Sequence, residues 1–243
     1  MTPQRSRLAV GSAVACAVLP AAVALALALA GCGAIGKLGG SSHYPAAKSV
    51  TISGRVTTVV IDSGSGSVDV TGDARSTVGV SEQASYSTKP PVPRQVLSGT
   101  TLTLAYSCAH ELSCSISYTV RVPRDVAVRV SGGAGEVTLT SLAGAATAQT
   151  SSGLITAVNL HSAEVSLKSA AGGIIVTCSA APRSLDASTK VGAIALTVPG
   201  SVAYKISTHT FVGTSTVTVR KSAGSPYAIN ASSDVGSISI SPA

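Results

Sequence analysis

Apolar and polar residues alternate with a period of two along most of the chain after residue 50, and the alternating segments recur. Each segment begins at a glycine or another small residue. The clearest copies are Gly135-Glu-Val-Thr-Leu, Gly153-Leu-Ile-Thr-Ala, Gly173-Ile-Ile-Val-Thr, Gly192-Ala-Ile-Ala-Leu and Gly236-Ser-Ile-Ser-Ile, with a degenerate copy at Ser215-Thr-Val-Thr-Val and an earlier one at Gly66-Ser-Val-Asp-Val. From residue 135 onward the copies are 18 to 23 residues apart. A repeat of about 20 residues with this alternation predicts an all-β fold, a β-solenoid rather than a sandwich.

A second set of turn residues divides each repeat, for example at Ser141-Leu-Ala-Gly and Ser179-Ala-Ala-Pro. Each repeat is therefore expected to hold two short strands and two turns, stacked in sequence order about 4.8 Å apart. Ile155 should point inward between Val137 and either Ile174 or Ile175, because Ile174-Ile175-Val176 offers apolar residues to both faces. Columns of like side chains favour small and β-branched residues. This explains an aromatic content of only 3%.

The segment from Val50 to Val130 alternates less regularly and contains a proline-rich loop at Thr88–Arg94. We interpret it as the first, irregular rungs of the same domain, with a hairpin excursion at Cys108–Cys114. After the apolar N-terminal run the sequence has no helix-period stretch of ten or more residues. The prediction is thus a single β-solenoid domain over residues 50–243.

The N-terminus has the features of an export signal. Arg5 and Arg7 precede an apolar run from Leu8 to Ala30, which ends in Leu29-Ala30-Gly31-Cys32. That tetrapeptide resembles the bacterial lipobox, which implies a signal peptide over residues 1–31 and a lipidated Cys32. Residues 32–49 then form a flexible, Gly/Ser-rich linker. The alternative is an uncleaved transmembrane helix, since the run is long enough to span a bilayer. The expected location is the outer face of the plasma membrane, with the lipid anchor in the bilayer.

Three cysteines lie in the predicted domain. Cys108 and Cys114 stand near the two ends of a loop between alternating segments, and outside the cytoplasm such a loop can be closed by a disulfide. The alternative is a metal site formed by Cys108, His110 and Cys114, but zinc usually requires four ligands and no second Cys/His pair lies nearby. Cys178 is expected to be a small buried apolar residue.

The charge of the chain is mildly basic and dispersed. The net charge is +7, and it falls to +5 once Arg5 and Arg7 are removed with the signal. The basic residues occur singly, without the basic stripe and interleaved aromatics of a nucleic-acid-binding surface. We therefore expect no nucleic-acid partner. A mildly basic surface can still attract anionic lipids or wall polymers at short range.

The sequence contains no recognisable catalytic or cofactor motif. It has no Gly-x-Ser-x-Gly elbow, no P-loop and no pair of histidines at metal-binding spacing. Gly132-Gly-Ala-Gly-Glu136 is similar to a calcium-binding β-roll repeat, but Val137 stands where the ligand aspartate is needed. Glu164, Asp186 and Asp234 fall at unlike repeat positions, so no carboxylate cluster is predicted. We expect no cofactor and no metal.

The order of these motifs resembles a known family. Gly66-Ser-Val-Asp-Val, the Cys108 and Cys114 pair, Tyr118-Thr-Val-Arg-Val-Pro123 and the later Gly-x-Val-x-Leu repeats are similar to bacterial adhesin-type lipoproteins of the DUF4097, or toast-rack, family. The resemblance covers most of Val50 to Ile240. It implies a β-solenoid on the cell surface and supplies no catalytic residues.

Three functions follow as hypotheses. The first is a non-enzymatic cell-envelope lipoprotein whose solenoid presents a surface for adhesion, scaffolding or binding of an envelope protein or wall polymer. The second is a wall-glycan hydrolase or lyase, which would require a cleft with two carboxylates roughly 5–9 Å apart. The third is an envelope-stress sensor that binds a lipid or an antibiotic. The sequence does not specify an oligomeric state.

Overall fold

The structure, a computed structural model, describes residues 47–109 and 113–243. These residues belong to one compact unit and form nineteen β-strands and no helix. The all-β prediction is confirmed. The first strand begins at Lys48, two residues before the predicted domain boundary at Val50.

The described strands form two sheets. Sheet A has ten strands, in the spatial order β1 (Lys48–Ile52), β4 (Val78–Tyr86), β7 (Cys114–Pro123), β3 (Val68–Asp73), β9 (Val137–Thr140), β11 (Ile155–Leu160), β13 (Ile174–Cys178), β15 (Ile194–Val198), β19 (Ile238–Pro242) and β17 (Ser215–Val217). Sheet B has nine, in the order β16 (Lys205–Val212), β18 (Ala228–Val235), β14 (Ser184–Val191), β12 (Glu164–Ala171), β10 (Ala146–Ser152), β8 (Ala127–Ala134), β2 (Thr58–Gly64), β6 (Thr101–Ser107) and β5 (Val92–Ser98).

Each repeat forms one rung, which we define as a strand in sheet B followed by a strand in sheet A. The rungs β8/β9, β10/β11, β12/β13 and β14/β15 follow one another, and every strand in them pairs in parallel with its counterpart in the next rung. This is the predicted β-solenoid, with two strands and two turns in each repeat.

The core lies between the two sheets and consists of columns of aliphatic side chains. Ile155 is fully buried and lies in register with Val137 on one side and Ile174 on the other. The ambiguity in the third rung is thereby resolved, because Ile174 is fully buried and Ile175 is 43% exposed. Tyr118 and Tyr204 are the only fully buried aromatic side chains among the described residues. Strands 4.8 Å apart leave little room for more.

The rungs do not stack in sequence order, which corrects the prediction. The last rung, β18/β19, lies between β14/β15 and β16/β17. Its inward residues, among them Ile229, Ala231 and Ile240, are buried, whereas β16 places the half-buried Thr208 in the column of Ala231. Burying a polar side chain costs less free energy in an end rung, because one side of that rung is exposed to solvent. The more polar rung therefore ends the stack. At the other end, β2/β3 lies between β6/β7 and β8/β9.

The segment around Cys108 and Cys114 is not a hairpin, so that prediction is wrong. β6 belongs to sheet B and β7 to sheet A, so the two strands do not pair with each other. The hairpin in this region is formed instead by β5 and β6, which pair antiparallel around Gly99 and Thr100. β7 pairs antiparallel with β4.

In each rung from β8/β9 onward a glycine stands at the corner where the chain passes from sheet B to sheet A, and these glycines stack on one another as a ladder. An ideal Cβ on Gly153 would lie 2.2 Å from the carbonyl oxygen of Gly135, and one on Gly192 would lie 2.2 Å from that of Gly172. Five glycines in the ladder have φ between +144° and +151°, a range that side chains disfavour: Gly153, Gly172, Gly192, Gly213 and Gly236. The corner glycine of the third rung is therefore Gly172, whereas the sequence predicted Gly173.

A second ladder, formed by hydroxyl groups, runs beside the glycines. It was not predicted from the sequence. Thr189 donates a hydrogen bond of 2.9 Å to the carbonyl oxygen of Gly172, and Ser233 donates one of 2.9 Å to that of Gly192. Ser169 and Thr210 make the same bond to Gly153 and Gly236. Each hydroxyl residue stands three positions before the corner glycine of its own rung. The pattern Ser/Thr-x-x-Gly is the signal that would have located both ladders.

Candidate functional site

The outer face of sheet B is an array of small polar side chains. Since side chains alternate between the two faces of a strand, the residues between the buried positions point outward, and parallel pairing aligns them in columns. One column runs Thr147, Ser166, Asp186, Asn230 and Ser207, and the next runs Gln149, Lys168, Ser188, Ser232 and His209.

Three adjoining grooves run over this array, with volumes of about 360, 370 and 420 Å³. Ser166 and Asp186 line both the first and the third groove, while Lys168, Ser188 and Ser232 line both the second and the third. The shared residues make the three grooves one continuous depression, which we call the sheet B groove. It extends across the strands from β8 to β16.

Asp186 is the acidic residue at the centre of the sheet B groove. Its Oδ1 accepts a hydrogen bond of 2.8 Å from Asn230 Nδ2, and its Oδ2 accepts one of 3.0 Å from Ser184 Oγ. These bonds join β14 to the neighbouring β18 and fix the orientation of the carboxylate. No aromatic side chain lines the groove. A ligand would therefore be held by hydrogen bonds and charge rather than by ring stacking.

The acidic residues are less dispersed than the sequence predicted. Glu164 on β12 and Asp186 on β14 line the same end of the sheet B groove. Glu164 is exposed to solvent and Asp186 is half-buried. The general acid of a glycosidase needs an environment that keeps it protonated, such as an apolar pocket. The open, hydroxyl-lined groove does not provide such an environment for Glu164.

The described residues contain no group of three or more His, Cys, Asp or Glu side chains placed to bind a metal ion. His209 lies in the sheet B groove, and the His161 ring nitrogen Nδ1 lies 3.2 Å from the backbone oxygen of Asn159. His43 and His110 lie outside the described residues.

The cysteines have the predicted roles where they are described. Cys108 and Cys114 are bonded to each other, with their Cα atoms 6.1 Å apart. Cys178 is a free, buried thiol in register with Leu160, and burial raises its pKa to about 12. Cys32 and the rest of the predicted signal and linker up to residue 46 lie outside the described residues.

The three domain cysteines should therefore differ in reactivity. Without reductant, a thiol-alkylating reagent should modify Cys178 only after the domain is unfolded in denaturant, because the native thiol is 1% exposed and protonated at neutral pH. Peptide mass mapping would count the modified residues. Alkylation of Cys108 and Cys114 under these conditions would show that the disulfide does not form in the isolated protein.

Within residues 47–109 and 113–243 no helix is long and apolar enough to cross a membrane.

The fold and the groove define the chain as a two-sheet β-solenoid with a polar groove on the outer face of sheet B. No protein-family model matches the sequence, and no curated protein is significantly similar to it. Among solved structures, it is similar to a candidate cell adhesion protein from Clostridium sporogenes (TM-score 0.47, 13% identity, 82% of this chain and 100% of that chain covered). It is also similar to a candidate adhesin from Bacteroides fragilis (TM-score 0.43, 14% identity, 81% and 97% covered). Likeness at this level carries no functional argument by itself.

Proposed function

We propose that this chain is a non-enzymatic binding protein of the cell envelope, held at the outer face of the membrane by acyl chains on Cys32. In this proposal the sheet B groove binds an extended polar polymer, either a wall glycan or an extended segment of an envelope protein. The observation that carries the proposal is the groove itself, a continuous polar depression across the strands from β8 to β16.

The chemistry of the groove supports an extended, uncharged or mixed-charge ligand. Neighbouring strands repeat their outward Ser, Thr and Asn groups about every 4.8 Å, so hydrogen-bonding positions continue along the groove. The charged side chains that line it are of both signs, with Arg129, Lys168 and Lys190 balanced by Glu164, Asp186 and Asp234. Such a surface favours neither a polyanion nor a polycation.

The membrane anchor is tested by metabolic labelling with an alkyne fatty acid. Wild-type protein should take up the label, and Cys32→Ser should take up none, because the sulfur of Cys32 is the proposed attachment point. Each acyl methylene adds about 0.8 kcal/mol of membrane affinity, and two chains hold stably where one does not. Equal labelling of the two proteins would exclude lipidation at Cys32.

The binding surface is tested with two tyrosine substitutions in the rung β14/β15, one in the sheet B groove and one on the outer face of sheet A. Ser188 lines two of the three grooves, whereas Thr197 lies in β15, on the outer face of sheet A. Ser188→Tyr should abolish retention of the protein on purified cell-wall material, and Thr197→Tyr should leave it unchanged. Both variants should melt near the wild-type temperature, since surface substitutions usually change stability by less than about 0.5 kcal/mol. Retention of both variants would place binding elsewhere.

The shared position of Glu164 and Asp186 makes wall-glycan hydrolysis a second candidate function. Release of reducing ends from purified wall glycan distinguishes the two functions. Wild-type activity that is lost in Glu164→Gln would favour the hydrolase, while retention on the wall without release of reducing ends favours the binding protein.

A further inference from the structure

We infer that the end of the solenoid nearest the chain entry rests on anionic lipid headgroups through a cluster of four arginines. The cluster consists of Arg55, Arg75, Arg121 and Arg124. The inference rests on the proposed membrane anchor, because the anchor would hold this end of the domain close to the bilayer.

The four arginines come from segments that are separate in sequence but meet in the fold. Arg55 lies in the connection from β1 to β2, Arg75 in that from β3 to β4, and Arg124 in that from β7 to β8, while Arg121 is on β7 itself. β1, β4 and β7 are the first three strands of sheet A.

Two adjoining grooves connect the cluster. A groove of about 330 Å³ is lined by Arg55 and Arg75, with Asp125 at its side. A second groove, of about 240 Å³, is lined by Arg75 and Arg121. Arg75 belongs to both, so Arg55, Arg75 and Arg121 face one continuous strip of surface. Arg124 stands between Pro123 and Asp125, two residues that line the first groove.

The cluster has an excess of positive charge. Asp73 is shared by two guanidinium groups, with Oδ1 3.2 Å from Arg75 Nε and Oδ2 3.7 Å from Arg121 Nη1. One carboxylate thus neutralises at most one of these two arginines. Asp125, which lines the first groove, is the second carboxylate near the cluster, so the four arginines stand against Asp73 and Asp125. Arg121 and Arg124 are exposed and can donate paired hydrogen bonds to phosphate oxygens.

The position of the cluster favours lipid phosphate over other phosphate sources. The chain enters the domain at β1, and the Gly/Ser-rich linker that the sequence predicts before it would reach roughly 20–25 Å as a flexible coil. Surface charge is screened within about 8–10 Å at physiological ionic strength. The opposite end of sheet A, at β17, is about 40 Å from β1 at the usual strand spacing. Only the arginine end would therefore lie within the field of the bilayer.

An environment-sensitive fluorophore beside the cluster tests the contact. Ser76 is exposed and lines the groove next to Arg55 and Arg75, so Ser76→Cys labelled with nitrobenzoxadiazole reports insertion into a headgroup layer. The full-length lipidated protein is reconstituted into vesicles of phosphatidylcholine alone or with phosphatidylglycerol. We expect the fluorescence to rise only in the anionic vesicles and to fall back at high salt.

Charge reversal provides the matched comparison. Arg55→Glu with Arg124→Glu should abolish the rise, whereas Lys205→Glu with Lys221→Glu, at the far end of the stack, should leave it unchanged. Vesicle flotation is measured on the same samples. Loss of flotation would contradict the membrane anchor, while flotation with equal fluorescence in both lipids would overturn the arginine contact alone. A response to soluble polyphosphate on neutral vesicles, with none to phosphatidylglycerol, would also overturn the assignment to lipid.

Discussion

Replacing Gly172 with alanine should destabilise the domain by more than about 4 kcal/mol, a large part of the stability of an ordinary domain. The added Cβ would lie 2.0 Å from the carbonyl oxygen of Gly153 and 2.6 Å from its carbon. Neither backbone can move aside, because the Gly172 N–H donates to Val191 and the Gly153 N–H donates to Ala171. The φ of +151° at Gly172 adds strain for any residue with a side chain. Urea unfolding followed by circular dichroism would measure the loss.

Gly224 is the matched control for this substitution. A Cβ at Gly224 would meet no atom within 4 Å. Gly224→Ala should therefore be neutral or stabilise by up to about 1 kcal/mol, because alanine lowers the entropy of the unfolded chain. If both variants unfolded at the same urea concentration, close packing of the corner glycines would not be a source of stability.

Replacing Ile155 with aspartate should also unfold the domain, whereas the same change at Thr156 should be tolerated. Ile155 is fully buried between Val137 and Ile174, so its replacement would place an unpaired charge in a column without polar partners. Thr156 is half-buried and faces outward, and its substitution should cost less than about 0.5 kcal/mol. Thermal melts of the two variants would check this pair. A reversed order would mean that the inward and outward positions of β11 have been exchanged.

The sequence was sufficient to predict the repeats but not all of their registers. The corner glycines and the alternation after them locate most of the strands, and they place Ile155 and Ile194 correctly in the core. The third rung is ambiguous because Gly172 and Gly173 are adjacent and three apolar residues follow them. Ser169 resolves the choice, since its hydroxyl group must stand three positions before the corner glycine.

The order of the rungs could not be predicted from the spacing of the repeats. The spacing identifies each rung but does not show which rungs are adjacent in the stack. Most consecutive rungs are adjacent here, and nothing in the spacing marks the exceptions. The composition of β16 is the relevant signal, because Thr208 stands in a column of alanine and leucine and fits an end rung better than an interior one. The candidate groove depends on this order. Asn230 bonds to Asp186 only because β18 lies beside β14, although the two residues are 44 positions apart in sequence.

The inserted rung makes completion of the stack depend on β18 and β19, the last two strands in sequence order that the structure describes. In the described residues β16 pairs only with β18, and β17 only with β19. The rung β16/β17 precedes β18/β19 in sequence, so it lacks its pairing partners until β18 and β19 have been made. A growing chain would leave the edges of β14 and β15 open until β18 and β19 have been made. Removal of the last sixteen residues would take an interior rung out of the stack and release the rung beyond it. Assembly of this end of the stack therefore waits for β18 and β19, and chains that lack these two strands should be more sensitive to proteolysis.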